Sequence, residues 1–279
     1  MAVGQQTLVF HELGQGLAGD LGDLGLEESG RLDRELEFLP GDEDIEERRK
    51  AGRGLTRPEL AVLLSYSKIT LYQELLDSNV PEDEWLSAEA VNYFPAPIRE
   101  RYASYVQTHR LKREIIATQV TNSLVNRMGA SFVLRMQEDS GKQPCDVARA
   151  YTIAREVFKA RDFWAQVEKL DNRVDADLQM AAMLAMWSLL RQATRWLLNL
   201  PHERLEIGQM VKRLGPGLEA MEGIVAPDDG PRIEVLQLQR VEAVGLELQN
   251  LAAGLHQVAA AKGVKGRTGE GVVGQSGLG

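Results

Sequence analysis

Hydrophobic positions recur every three or four residues along most of this chain, which is the period of an amphipathic helix. Thr56-Arg57-Pro58-Glu59 reads as a capping box: a threonine oxygen can accept from a free N–H, and a glutamate three residues on reaches back. Pro58 suits a first turn, where its missing donor is not needed. Behind this cap Val62, Tyr66, Ile69, Tyr72 and Leu76 fall on one helical face. Val80-Pro81 ends that helix. A short helix is predicted over Glu82 to Tyr93, and Pro95 and Pro97 force a turn after it. Helix resumes from Ile98 to Met128, with a bend, and Gly129 is its stop.

Ser131 to Glu138 is a further short helix, ended by Asp139-Ser140-Gly141. Pro144 opens one that runs to about Lys159, and Arg161 to Leu170 follows. Asp175 to Leu200 is long and stops before Pro201. Glu203 to Leu214 is short, with Gly215-Pro216-Gly217 as punctuation. After the turn signal Pro227-Asp228-Asp229-Gly230, Val241, Val244, Leu248, Leu251, Leu255 and Val258 make one more stripe. Apart from Thr7-Leu8-Val9-Phe10 no run alternates as a strand does, and no internal repeat stands out. The expected fold class is mainly α, a multi-helix domain with short turns.

Glycine sets the expected boundaries. Residues 1–30 hold seven glycines and residues 263–279 hold seven more, out of 26 in the chain. Glycine weakens helix and strand alike. Residues 1–30 are therefore expected to be irregular, 31–225 a helical domain, 231–261 an additional helix, and 263–279 a disordered tail.

Charge and cysteine content remove several function classes. The 279 residues carry 32 Lys and Arg against 41 Asp and Glu, a formal net charge of −9. An acidic chain is a poor general phosphate binder, so no nucleic-acid partner is expected. A lone Cys145 excludes a disulfide framework within the chain and a cysteine-rich zinc site. His11, His109, His202 and His256 are far apart, so no metal site is expected. The first ten residues lack the basic start and apolar run of a signal peptide. The uncharged stretches Leu248 to Ala261 and Leu178 to Leu190 are shorter than the ~20 residues a membrane span needs. The expectation is a cytoplasmic protein with no membrane partner.

Gly14-Gln15-Gly16-Leu17-Ala18-Gly19 matches the G-x-G-x-x-G pattern that lets a pyrophosphate approach a helix N-terminus. A second parallel strand should follow within about 30 residues. Acidic helical sequence follows instead, including Glu43-Asp44-Ile45-Glu46-Glu47, a solvated face. The match reads as part of an irregular segment. Gly141-Lys142 lacks the rest of a P-loop, and His11-Glu12 lacks the second histidine of a zincin. Cys145 reads as a small packed residue rather than a nucleophile.

Two helices hold more information. Ile115 to Asn126 is twelve residues without a charge. In projection Thr118, Asn122 and Asn126 share a face with Leu111, Ile115 and Val125, while Ile116, Val120 and Leu124 lie on another. A helix apolar on two sides is usually buried between neighbours. Its hydroxyl and amides then belong either to an internal hydrogen-bond network or to a docking face for another domain. On the long helix Met180, Leu184, Trp187 and Leu190 form a stripe with Met183 and Met186 beside it. This reads as core, with a partner-helix surface as the alternative.

The segments GRLDRELEFLP (30–40), GLTRPELAVLLSYSKITLY (54–72), HRLKREIIATQVTNSLVNRMG (109–129) and DVARAYTIAREVF (146–158) resemble the C-terminal helical region of the large bacterial NAD-specific glutamate dehydrogenases. The resemblance covers about residues 30–225, and the segments occur in the family's order. It implies an intact enzyme that oxidatively deaminates L-glutamate to 2-oxoglutarate and reduces NAD. Its dinucleotide-binding fold, catalytic lysine and catalytic aspartate lie upstream of this helical region. No catalytic, cofactor-binding or metal-binding residue carries over to this sequence. By this resemblance the chain is expected to be a non-catalytic piece of a longer enzyme. Its partner is then the catalytic domain, in cis or as a separate chain, with self-association left open. The alternative is a free-standing helical protein-interaction module.

Overall fold

The computed structural model describes residues 26–200 and 205–225; the elements among them are helices and turns, with no strand. They are α1 (Asp42–Lys50), α2 (Arg57–Leu76), α3 (Ser87–Asn92), α4 (Ala96–Gln107) and α5 (Lys112–Met128). Then come α6 (Phe132–Ser140), α7 (Pro144–Val157), α8 (Ala160–Glu168), α9 (Ala176–Leu198) and α10 (Ile207–Val225). The expected mainly α class is what the chain adopts. The Gly14–Gly19 match, the 231–261 helix and the 263–279 tail lie outside the described residues.

The caps follow local chemistry. The Glu59 carboxylate accepts the Thr56 N–H at 2.6 Å, completing the capping box of α2, and Pro58 sits in its first turn. The Asp175 carboxylate accepts the Asp177 N–H at 2.8 Å and starts α9. Gly141 ends α6 in the left-handed region, φ 68°, with its N–H on the Gln137 carbonyl at 2.7 Å.

Helix α7 is the axis of the fold. Every residue from Val147 to Arg155 is buried, and α9, α10, α6, α8 and α2 all pack against it. Ala148, Ala150 and Ala154 keep it thin enough for neighbours to approach from several sides. Around it gather Leu124 and Met128 from α5, Met136 from α6, Trp164 from α8, Leu190 and Leu197 from α9 and Ile207 from α10. A second, smaller cluster joins Leu26, Leu32 and Leu39 to Leu60 and Leu63 of α2.

Several details differ from the expected elements. The core face of α2 is Leu60, Leu63, Ser67, Leu71 and Leu75, while Ile69 of the expected stripe is exposed. The α2 sequence is apolar on several sides, so periodicity alone cannot phase it. The expected helix from Glu82 to Tyr93 is two 3₁₀ turns, Val80–Glu82 and Glu84–Leu86, followed by the six residues of α3. The span from Ile98 to Met128 is two helices, α4 and α5, parted at residues 108–111. Gly215-Pro216-Gly217 does not stop α10, which runs to Val225. Lys212, Pro216 and Gly217 are exposed, so the N–H that Pro216 lacks is missing on the solvent side of the helix. On α9 the buried face is Met183, Met186, Leu189, Leu190 and Leu197, with Met180, Leu184 and Trp187 half-buried at its edge.

Candidate functional site

A polar cleft opens where α5, α8 and the end of α3 meet over the C-terminal end of α7. It encloses about 290 Å³ and is lined by Gln119, Asn122, Ser123, Asn126 and Arg127 of α5. Glu89, Arg155, Arg161, Trp164 and Glu168 complete most of the rest of the wall.

Its floor is a buried ion network. Arg155 Nη2 donates to Glu89 Oε1 at 2.6 Å, with the two side chains 2% and 9% exposed. Arg155 Nε donates to Glu156 Oε1 at 2.9 Å and its Nη1 to Ser123 Oγ at 3.0 Å. Arg161, at the lip, pairs with the same Glu89 oxygen. Burial alone would pull the Arg155 guanidinium down. The attraction of Glu89, Tyr151 and Glu156 and the Glu156 hydrogen bond outweigh it and hold Arg155 above its ordinary value. Tyr151 lies beneath, its hydroxyl 3.1 Å from Ser123 Oγ, and burial pushes that phenol up.

On the other wall Arg127 Nη2 donates to Glu168 Oε1 at 3.1 Å, and the guanidinium lies over the Trp164 ring at 4.3 Å. Arg127 Nη1 is buried with no hydrogen-bond partner. Three guanidiniums thus stand against three carboxylates, and the network is balanced in charge. What the cleft offers is hydrogen bonding rather than a net field.

Of the expected face Thr118, Asn122 and Asn126, the cleft takes in only the two amides. Thr118 Oγ1 is engaged by the Glu114 carbonyl at 2.7 Å. Asn122, Asn126 and their neighbour Gln119 are half-buried and make no side-chain hydrogen bond among the described residues. The buried faces of α5 are instead Ile115, Ile116, Ala117, Val120, Thr121, Leu124, Val125 and Met128. Glu89 and Arg155 are site residues the sequence pattern does not single out. The available signal is weak: a carboxylate beside buried Leu86 and Ala90, and one of two buried arginines, Arg149 and Arg155, on α7.

Cys145 is half-buried, and desolvation raises its thiol above the ordinary value, which suits packing rather than attack. Among the described residues no group of three or more His, Cys, Asp or Glu is placed to hold a metal ion. No described helix is long and apolar enough to cross a membrane.

Residues 52–261 match the family model described as glutamate dehydrogenase, C-terminal. The chain belongs to that family. The match reaches beyond residue 225, the expected limit of the resemblance. Among curated proteins, the NAD-specific glutamate dehydrogenase of Pseudomonas aeruginosa is 46% identical over 201 residues, 72% of this chain and 12% of that protein. The enzyme of the same name from Halomonas elongata is 47% identical over 174 residues, 62% of this chain and 11% of its own length. That from Mycobacterium tuberculosis is 33% identical over 190 residues, 68% and 12% respectively. The chain therefore spans about an eighth of the length of the relatives it matches.

Proposed function

We propose that this chain is the non-catalytic helical part of a cytoplasmic NAD-specific glutamate dehydrogenase. It serves the oxidative deamination of L-glutamate to 2-oxoglutarate by packing against the part that binds NAD and substrate. The observation that carries this reading is the length relation: the matched stretch is about an eighth of proteins named for that activity. Hydride transfer needs a nicotinamide held against the substrate carbon. The described residues are helices around α7, with no parallel sheet of the kind that carries a dinucleotide. NAD accordingly belongs to the catalytic part.

The docking edge is the cleft side of α5. Asn122 and Asn126, with Gln119, offer both donors and acceptors to an apposed polypeptide, and Thr118 lies beside them on the same helix face. Such neutral amides favour hydrogen bonding to main-chain groups of a partner over ionic capture.

The test supplies the full chain in trans to the Pseudomonas aeruginosa relative cut to remove its matching stretch. The expected result is association and a rise in NADH formation from L-glutamate and NAD. The chain alone produces no NADH. NADH production by the chain alone would overturn the reading. Failure to associate with the shortened enzyme would favour the free-standing interaction module instead.

A further inference from the structure

Helix α4 is poorly integrated into the core. Among its described side chains Val106 is the buried one, and α3 is its principal neighbour. Ile98, Tyr102 and Tyr105 are 40%, 42% and 70% exposed, and the helix is kinked at Tyr102, φ −126° and ψ 21°. The Tyr102 and Tyr105 rings meet edge to face at 6.1 Å, so these two form one exposed aromatic patch. Leu111, in the turn to α5, and Tyr93, at the end of α3, are exposed as well.

The same segment is rich in cations, of which Arg113, at the start of α5, pairs with Glu82. Arg99, Arg101, Arg110 and Lys112 form no ion pair among the described residues. Arg99 donates to the Asn92 amide oxygen at 3.1 Å, Lys112 to Gln107 at 2.9 Å, and Arg101 lies 5.4 Å from the centre of the Tyr102 ring. Glu100 is the one carboxylate between Arg99 and Lys112. A chain of net charge −9 thus carries a local cationic surface around an aromatic patch.

We propose that α4 and the turn that follows it form a second docking surface, for an acidic amphipathic segment in the remainder of the dehydrogenase polypeptide. This rests on the reading above that the chain packs against the rest of such an enzyme. The length of the relatives supplies the occupant: most of their sequence lies outside the matched stretch. Charge supplies its chemistry. Apolar side chains of the segment cover Ile98, Tyr102 and Tyr105, and its carboxylates meet Arg99, Arg101, Arg110 and Lys112. Arg101 and Arg110 are exposed and Arg99 and Lys112 half-buried, and surface charges of this kind steer association and make it sensitive to salt. The amide edge of α5 is neutral and contributes a part of the binding that salt leaves alone.

The experiment measures binding of the full chain to the shortened Pseudomonas aeruginosa enzyme by surface plasmon resonance, from low to high salt. A single-stranded RNA oligonucleotide is run as a second probe. The variants are Arg101→Glu with Arg110→Glu, Tyr105→Ser, and Asn122→Leu with Asn126→Leu, each checked for unchanged helical circular dichroism. The expected result is wild-type binding that weakens as salt rises. The double charge reversal lowers low-salt affinity about tenfold, mainly through the association rate, and flattens the salt dependence. Tyr105→Ser weakens binding at every salt concentration. Binding that is independent of salt, untouched by the α4 variants, and lost with the α5 amides would overturn this proposal and leave the reading of function standing. RNA binding that the α4 variants abolish, without any effect of those variants on the enzyme, would overturn it too. No binding of the wild-type chain at all would remove both.

Discussion

Arg155 and Glu89, 66 residues apart in sequence, meet at 2.6 Å beneath the cleft and tie α7 to α3. α3 is only six residues long and too short to be stable on its own. Its position against α5 therefore depends on buried Leu86 just before it, on its own buried Ala90, and on this ion pair. The two members of the pair are not equally replaceable. Arg155 also holds Glu156 and Ser123, while Glu89 has only Arg161 as a second cation.

That asymmetry sets the order of two variants. Arg155→Met leaves Glu89 buried with a half-exposed partner at the lip, and is expected to cost ~3–5 kcal/mol. Glu89→Gln leaves Arg155 with Glu156 and Ser123, and is expected to cost about 1–3 kcal/mol. Urea unfolding of both at neutral pH checks the order. Equal losses would mean that the network, rather than the Arg155–Glu89 contact, carries the stability.

A pH dependence follows from the cap of α2. Burial by itself would raise the Glu59 carboxyl. The Thr56 N–H and the Arg48 guanidinium, 2.9 Å away, outweigh burial and hold it below the usual carboxylate range. A depressed folded-state value gives stability that is present above the unfolded value, ~4.3 for glutamate, and is lost as pH falls through the folded one. Relative to Glu59→Gln, the wild type is expected to be about 1 kcal/mol more stable at pH 7. The difference should shrink on acidification. A gap that stayed constant down to pH 3 would contradict the assignment.

Most helix positions were legible in the sequence because their signals are local. Thr56, Pro58, Glu59, Asp175 and Gly141 act within one turn of themselves, and each marks a helix end in the structure. The facing of those helices was less legible. α2 carries apolar residues on several sides, and what selects Leu60, Leu63 and Leu71 over Ile69 is contact with residues 26–39 and α5. The candidate site shows the same division. Asn122 and Asn126 stood out by the absence of charge around them. Glu89 and Arg155 read singly as ordinary charges, and only the tertiary fold, which sets α3 against α5, brings them together.

Thr194 offers a test of packing on α9. Its residue is fully buried, 0% exposed, and its hydroxyl has no hydrogen-bond partner. A buried, unpaired polar group costs ~1–3 kcal/mol. Thr194→Val keeps the branched shape and removes that group, so the variant is expected to be more stable by about 1 kcal/mol. A loss of stability in thermal or urea unfolding would show that the hydroxyl has a partner, such as a bound water.

The α5 amides separate docking from folding. Asn122 and Asn126 are half-buried in the cleft wall and support no hydrogen bond among the described residues, so their loss removes nothing that holds the chain together. Asn122→Leu with Asn126→Leu is expected to change the stability of the isolated chain by no more than about 0.5 kcal/mol. Asn122→Asp adds a third carboxylate to the lining beside Glu89 and Glu168, and Arg127 and Arg161 are near enough to screen it. It too should fold, with a small loss. In association with the shortened dehydrogenase the same substitutions should act strongly, because leucine leaves the partner's main-chain groups unpaired at the contact. Large destabilisation of the isolated chain by the leucine pair would instead assign the amides to an internal network. That result would remove the docking edge of α5 from the proposed function.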